Sequence, residues 1–384
     1  MAVFRPRPWR GLAVAAALVA AACNDSTGPQ AHLSDPQGLN ADAQTVAGVL
    51  QSPAFQSFSA LTFATGSPVG APSRAGALLR AAPIVPPRAS TQLYTAAPQR
   101  LEALRLAAST FSSGISASVI PGTLLGKTFV WDEATHQYVE DPSATPTAPA
   151  NGVRIILYQV DAFGQVIEPP VAVGFVDLLD ESTTSPPVDK LHIIVKDGTP
   201  SAPGTTYADY TVSATVTGDP PTAFTATAAG SVSDGTRTLT FSATFAATQL
   251  DTDNPDYQID IVWDLDNPVV HVELHETITS SSPDDATLSI NFSVTRGGET
   301  VSVEGTITEV LSTGAFTVSI TIQVDGVPYA RITGDQNVIR ARHADGSELS
   351  QEERLALATV LIVYAESETA IFGLFTPAGS LMGA

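Results

Sequence analysis

The chain is 384 residues long and carries a formal net charge of −21, yet only 15% of its residues are charged. That length allows one large domain or two ordinary ones. Acids in such excess exclude nucleic acid and anionic headgroups as partners of the folded body, because phosphate binding needs basic patches. The imbalance is uneven. Residues 1–110 hold eight Arg against four acids, whereas residues 111–384 hold ten Lys and Arg against 35 acids. Such a surface serves solubility or divalent-cation binding.

The chain opens "MAVFRPRPWRGLAVAAALVAAACNDSTGPQ". Arg5, Arg7 and Arg10 form a positive start, and Gly11 to Ala22 a short apolar run. A membrane-spanning helix needs about 20 such residues. A charged start, a short apolar stretch and small residues at its end mark residues 1–22 as a secretory signal peptide. Cys23, the one cysteine of the chain, follows Ala20-Ala21-Ala22 directly. Here the sequence resembles the bacterial lipoprotein class, in which a lipobox ends in a cysteine that is lipidated and becomes the new N-terminus. Ala20 departs from the leucine usual at its position. The resemblance covers about the first 25 residues. It implies lipidation at Cys23, a membrane partner through that lipid, and an exported protein. Asn24 rather than aspartate after the cysteine favours the outer membrane by the sorting rule of that class. A lipidated Cys23 also leaves no thiol for a disulfide, a metal–thiolate site or a nucleophile.

Residues 23–40 are polar, with Gly and Pro and no periodicity, and read as a flexible tether. Residues 41–110 read as helical segments and a linker. Val46, Val49 and Leu50 fall at helical spacing, as do Phe55, Phe58 and Leu61, with Pro53 placed to start a second helix. Residues 66–90 are a Pro/Ala/Gly-rich linker, and a short helix is expected near 98–110.

Residues 111–345 read as an antiparallel β domain. "GKTFVWDEATHQYVED" is a hairpin, and "GVRIILYQV" and "VAVGFVDLL" are strands. From Tyr207 on, apolar residues alternate with Ser and Thr, as in Leu239, Phe241, Ala243 and Phe245. "TGDPP", "SDGT", "RGGE" and "VDGVP" supply turns. Roughly a dozen strands in up-and-down order must curl. Three closures follow: a sandwich, a closed or half-closed barrel with helices in its concavity, or a membrane barrel. The eight Tyr and three Trp form no pair of aromatic girdles, which speaks against the last.

The C-terminal segment 346–384 is expected to be a helix packed on the β domain. "SQEERLALATVLIVYAESETAIFGLF" opens with Ser350 and Glu353 at capping-box spacing. It is then apolar nearly all round over 355–365, so Leu355, Leu361, Ile362 and Val363 are expected to be buried. The fold class is therefore mainly β with α: a large curled, barrel- or half-barrel-like sheet, N-terminal helices and a buried C-terminal helix. Architecturally this resembles the half-barrel folds of periplasmic lipid-carrying lipoproteins, and the resemblance implies a hydrophobic ligand.

One stretch suggests a site. In "VVHVELHETI", His271, Glu273 and His275 share a strand face. Matching apolar faces with the preceding strand requires Trp263 opposite Val272. A four-residue loop from Asp266 to Val269 gives that register, with Asp264 opposite His271 and Asp260 opposite His275. These five residues have the types a Zn²⁺ site needs. They equally make a solvated face of imidazole–carboxylate pairs. "DTDNPDYQIDIV", from Asp251, resembles the start of a calcium loop. It carries Pro255, Asp256 and Val262 where an EF-hand needs an acid or Asn, Gly and Glu. His136 and His192 have no evident partners. No cofactor motif and no nucleophile motif occurs. Function is thus expected to be that of a membrane-anchored, non-enzymatic structural or binding component of the envelope. The alternatives are a carrier or sink for hydrophobic ligands and, more distantly, a metal-dependent enzyme.

Overall fold

A computed structural model describes residues 31–35, 37–38, 41–42, 45, 49, 53–61 and 119–382 apart from 162, 253, 283 and 311. The signal peptide, Cys23, the linker at 66–90 and the helix expected near 98–110 lie outside the described residues.

In chain order the elements are helix α1 (Pro53–Ala60), strands β1 (Thr128–Asp132), β2 (Gln137–Glu140), β3 (Gly152–Tyr158), β4 (Ala172–Asp180), β5 (Thr183–Thr184), β6 (Pro187–Thr199), β7 (Ala202–Thr217), β8 (Ala223–Ser233), β9 (Thr238–Thr248), β10 (Asp256–Asp266), β11 (Val269–Thr279), β12 (Asp285–Arg296), β13 (Glu299–Val310), β14 (Ala315–Val324), β15 (Val327–Asp335) and β16 (Ile339–His343), then helix α2 (Gln351–Met382). All strands join one sheet of 16, in the order β16 down to β6, then β4-β3-β1-β2, with β5 beside β6. Order follows sequence because tight turns at the expected "TGDPP", "SDGT", "RGGE" and "VDGVP" sites return each strand beside the last. The departure from antiparallel order is β1, which lies parallel to β3 before turning back into β2. The sheet is not closed, so it is neither a sandwich nor a complete barrel.

Alternation dictates the two faces. On β9, Leu239, Phe241, Ala243, Phe245 and Ala247 are buried in turn, and Ile259, Ile261, Trp263 and Leu265 continue that face on β10. Gly230 of β8 sits between Tyr210 of β7 and Phe241 of β9. Its φ is +150°, and a Cβ there would come 2.5 Å from Tyr210 Cα. The missing side chain lets the two rings meet above β8 at 5.7 Å. The opposite face is largely Ser and Thr, as in the Ser213–Thr227 contact at 2.7 Å.

Helix α2 lies across the apolar face. Its start carries the expected capping box: Ser350 N donates to Glu353 Oε2 at 2.7 Å and Glu353 N to Ser350 Oγ at 3.3 Å. Glu353 meets His343 of β16 at 3.2 Å. Further on, Tyr364 Oη donates to Glu276 Oε2 of β11 at 2.5 Å and its ring lies 5.5 Å from Phe292 of β12. Near its end, Leu374 O accepts from Tyr210 Oη of β7 at 3.1 Å. Between residues 353 and 374 a helix advances about 32 Å. The nine strand spacings from β16 to β7 measure about 43 Å along the sheet. A shorter chord beneath a longer arc means that the sheet curls around the helix. α1 continues the covering layer over β3, β4, β6 and β7 and touches α2. Phe58 of α1 is fully buried, as is Val49 just before it.

The burial of α2 differs from expectation. Leu355 is 60% exposed and Ile362 45%, whereas Ala356, Leu357, Val360, Val363 and Tyr364 are buried. The sheet reaches one side of the helix only, so the 3.6-residue period selects 356/357, 360 and 363/364 from an apolar run. Among the described residues no helix is long and apolar enough to cross a membrane.

The N-terminal segment docks at the β12–β13 turn. Leu33 is buried, Ser34 N donates to Glu299 Oε2 at 2.9 Å, and Arg296 pairs with Asp35 at 3.0 Å and with Asp42. The chain is thus held against the sheet from Ala31 on, within the stretch that its composition assigns to a tether.

Candidate functional site

The β10–β11 hairpin has the register that its apolar alternation demands. Leu265 pairs with Val270, Trp263 with Val272 and Ile261 with Leu274. Asp264 therefore faces His271, and Asp260 faces His275. Pairing runs one step further than expected, to Asp266 and Val269, leaving Asn267-Pro268 as the turn.

The five site residues lie on the outer face. His271 Nδ1 sits 2.7 Å from Asp264 Oδ1, and its Nε2 sits 3.2 Å from Glu273 Oε1. His275 Nδ1 lies 2.5 Å from Asp260 Oδ1, whose other oxygen accepts from Gln258 Nε2 at 2.6 Å. On either side the face continues in Thr240 and Thr244 of β9 and in Asn291, Ser293 and Thr295 of β12. The hydrogen bond that His271 donates to Asp264 raises the His271 pKa above its ordinary value, with Glu273 adding to it and partial burial opposing it.

In this arrangement each of the two imidazoles is paired with a carboxylate. His271 and His275 are four residues apart on one strand, about 14 Å. Two imidazoles that each need to come within about 2 Å of one ion cannot do so from there. Both nitrogens of His271 already face carboxylates. Among the described residues no group of three or more His, Cys, Asp or Glu is arranged to hold an ion. In the "DTDNPDYQIDIV" stretch, Asp256 Oδ2 accepts from Gln249 Nε2 at 2.6 Å.

Two histidines that looked unpartnered in the sequence are not. His192 of β6 bridges Glu181 at 3.2 Å and Asp209 at 2.7 Å, and Lys190 binds the same Glu181 at 2.6 Å. His136 in the β1–β2 turn meets Glu168 at 2.8 Å. These partners come from neighbouring strands and loops, so no spacing along the chain announces them. Glu276 is an acid on the otherwise apolar face of β11. It is buried under α2 and accepts from Tyr364.

His271→Ala is expected to cost at most ~1 kcal/mol, since its side chain is 35% exposed and such pairs are solvent-screened. The sign follows from the raised pKa. The stabilisation is complete below the unfolded value of about 6.5 and disappears as pH rises through the higher folded value. The melting difference between parent and variant should therefore be largest near pH 5.5 and vanish in alkaline buffer. A difference that grows with pH would contradict the imidazolium pairing.

No protein-family model matches the chain, and neither a curated protein nor a solved structure resembles it.

Proposed function

We propose that the protein is an exported bacterial lipoprotein, held at a membrane, the outer membrane being favoured, by a lipid on Cys23. Its curled sheet acts there as a structural or binding component of the envelope rather than as an enzyme. The position of the lone cysteine, directly after a signal-like run, supports the anchoring. The layer of helices over the sheet's apolar face supports a structural or binding role over that of a carrier for hydrophobic ligands. Phe58, Val360, Tyr364 and Phe375 from the helices, with Tyr210, Phe245 and Trp263 from the sheet, are all buried there. A carrier needs an apolar space of several hundred Å³ for its cargo.

Cys23→Ser is expected to move the protein from the membrane fraction to the soluble fraction of the envelope. A variant that stays in the membrane pellet after a carbonate wash would show that Cys23 does not anchor the chain. Native mass spectrometry of the membrane-purified protein reports on both halves of the proposal. The expected species carries diacylglycerol-type mass on the N-terminal peptide and nothing else. A co-purifying lipid lost on unfolding would favour the carrier instead.

A further inference from the structure

We infer that one rim of the sheet, led by the tip of the β3–β4 hairpin, rests on the surface of a zwitterionic lipid bilayer. The inference builds on the proposed lipid at Cys23.

Strands β3, β6, β8, β10, β12 and β14 all run towards the same rim, because each is separated from the next by one antiparallel partner. That rim carries the β12–β13 turn where Ser34, Asp35 and Asp42 dock. Seven residues, eight Cα–Cα steps, separate Cys23 from Ala31, and fully extended they span at most about 29 Å. The far rim lies the length of β10 to β13 away, 11 or 12 residues each, which is about 37–41 Å of strand. If the far rim faced the bilayer with the strands upright, Ala31 would stand higher above it than the tether reaches. A lipidated Cys23 therefore holds the near rim towards the membrane.

Exposed apolar side chains occur at turns of both rims, with Val338 51% and Val310 41% exposed at the far one, but the most exposed stand at the near rim. Phe163 is 90% exposed and Val269 75%, and Val171, Val327 and Ile167 are also exposed in the β3–β4, β10–β11 and β14–β15 connections. Phe163 is held out by a built turn. Asp161 Oδ1 accepts from Phe163 N at 2.8 Å and from Gln165 N at 3.0 Å, and Asp161 N donates to Gln165 O at 2.8 Å. Gly164, at φ +78°, closes the turn against Ala60 of α1. The turn carries the aromatic ring into solvent. An exposed apolar ring on a polar turn suits the headgroup–acyl boundary of a bilayer, where Phe and Leu side chains bury their apolar surface. The body's negative charge makes that surface a zwitterionic one, since anionic headgroups repel it.

The test couples the chain from Cys23 onward, which retains every described residue, through its sole thiol to a maleimide lipid in phosphatidylcholine vesicles. Phe163→Trp is compared with Asp251→Trp, which places its indole in the β9–β10 turn of the far rim. Brominated phosphatidylcholine is expected to quench the fluorescence added by Phe163→Trp severalfold more than that added by Asp251→Trp, at low and high salt alike. Equal quenching of the two, or none for Phe163→Trp in a variant whose circular dichroism matches the parent, would overturn the rim's placement. The artificial tether makes this outcome independent of native lipidation, which is read separately from the mass of the N-terminal peptide. A cell-derived chain whose Cys23 carries no lipid would overturn the anchoring and the rim's placement with it.

Discussion

Deleting residues 350–384 is expected to make the folded body aggregate. α2 contributes Leu357, Val360, Val363, Tyr364, Leu374 and Phe375 to the core, each 3% exposed or less. At about 1.5–3 kcal/mol per fully buried apolar side chain, the helix supplies on the order of 10 kcal/mol. The unfolded chain already hides part of that surface, so this is an upper figure. It still rivals the whole stability of an ordinary domain, about 5–15 kcal/mol. Removal would also open the apolar faces of β7, β11 and β12 to water and leave Glu276 on them without Tyr364. An open sheet with an uncovered apolar face is an aggregation template. The measurements are the soluble fraction on expression and the melting temperature. A truncated chain that stays soluble and melts with the parent would show that the helix is dispensable to the core. A milder change separates the helix from its hydrogen bond: Tyr364→Phe keeps the ring on Phe292 and removes the hydroxyl, so it should cost about 1–3 kcal/mol without aggregation.

Much of the sheet was legible because strand periodicity is a local signal. Alternation in β9 to β14, with turn residues between, states both the strands and their register, and the Trp263–Val272 pairing followed from matching faces alone. The capping box at Ser350 and Glu353 was legible for the same reason. What a helix buries is not local. Leu355 and Ile362 are as apolar as Leu357 and Val360, and only the one-sided approach of the sheet sorts them. Closure is not local either: nothing in β1 announces that it lies parallel to β3. Nor is the pairing of charge. His192 meets Glu181 and Asp209 only because β6 is flanked by the β4–β5 connection and β7. Glu276 reads as a flaw in an apolar face until α2 brings Tyr364 onto it. The candidate site fell between these cases. Its register was local and correct, and what that register brings together are the imidazole–carboxylate pairs of His271 and His275.

Arg154→Ala is expected to destabilise the protein by about 3–5 kcal/mol, while Arg154→Met combined with Asp177→Leu should stay within about 1 kcal/mol of the parent or exceed it. The two residues are directly opposed on β3 and β4. Arg154 Nε lies 2.7 Å from Asp177 Oδ1 and its Nη2 2.8 Å from Oδ2, a bidentate pair with both side chains largely buried. The guanidinium also reaches Pro146 O at 3.3 Å and lies 4.9 Å from the centre of the Phe175 ring. Elsewhere this face of the sheet is wet, as at His271. Here the segment carrying Pro146 lies over it, and water that would screen a lone charge is displaced. Truncating the arginine strands a carboxylate in that dry layer, which is costly. Replacing both residues with apolar ones of similar volume removes the charge as well as its partner, so the cost disappears. Denaturant midpoints of the parent, the single variant and the double variant measure this directly. An Arg154→Ala protein within about 1 kcal/mol of the parent would mean that water reaches Asp177 and that the layer over β3 and β4 is open.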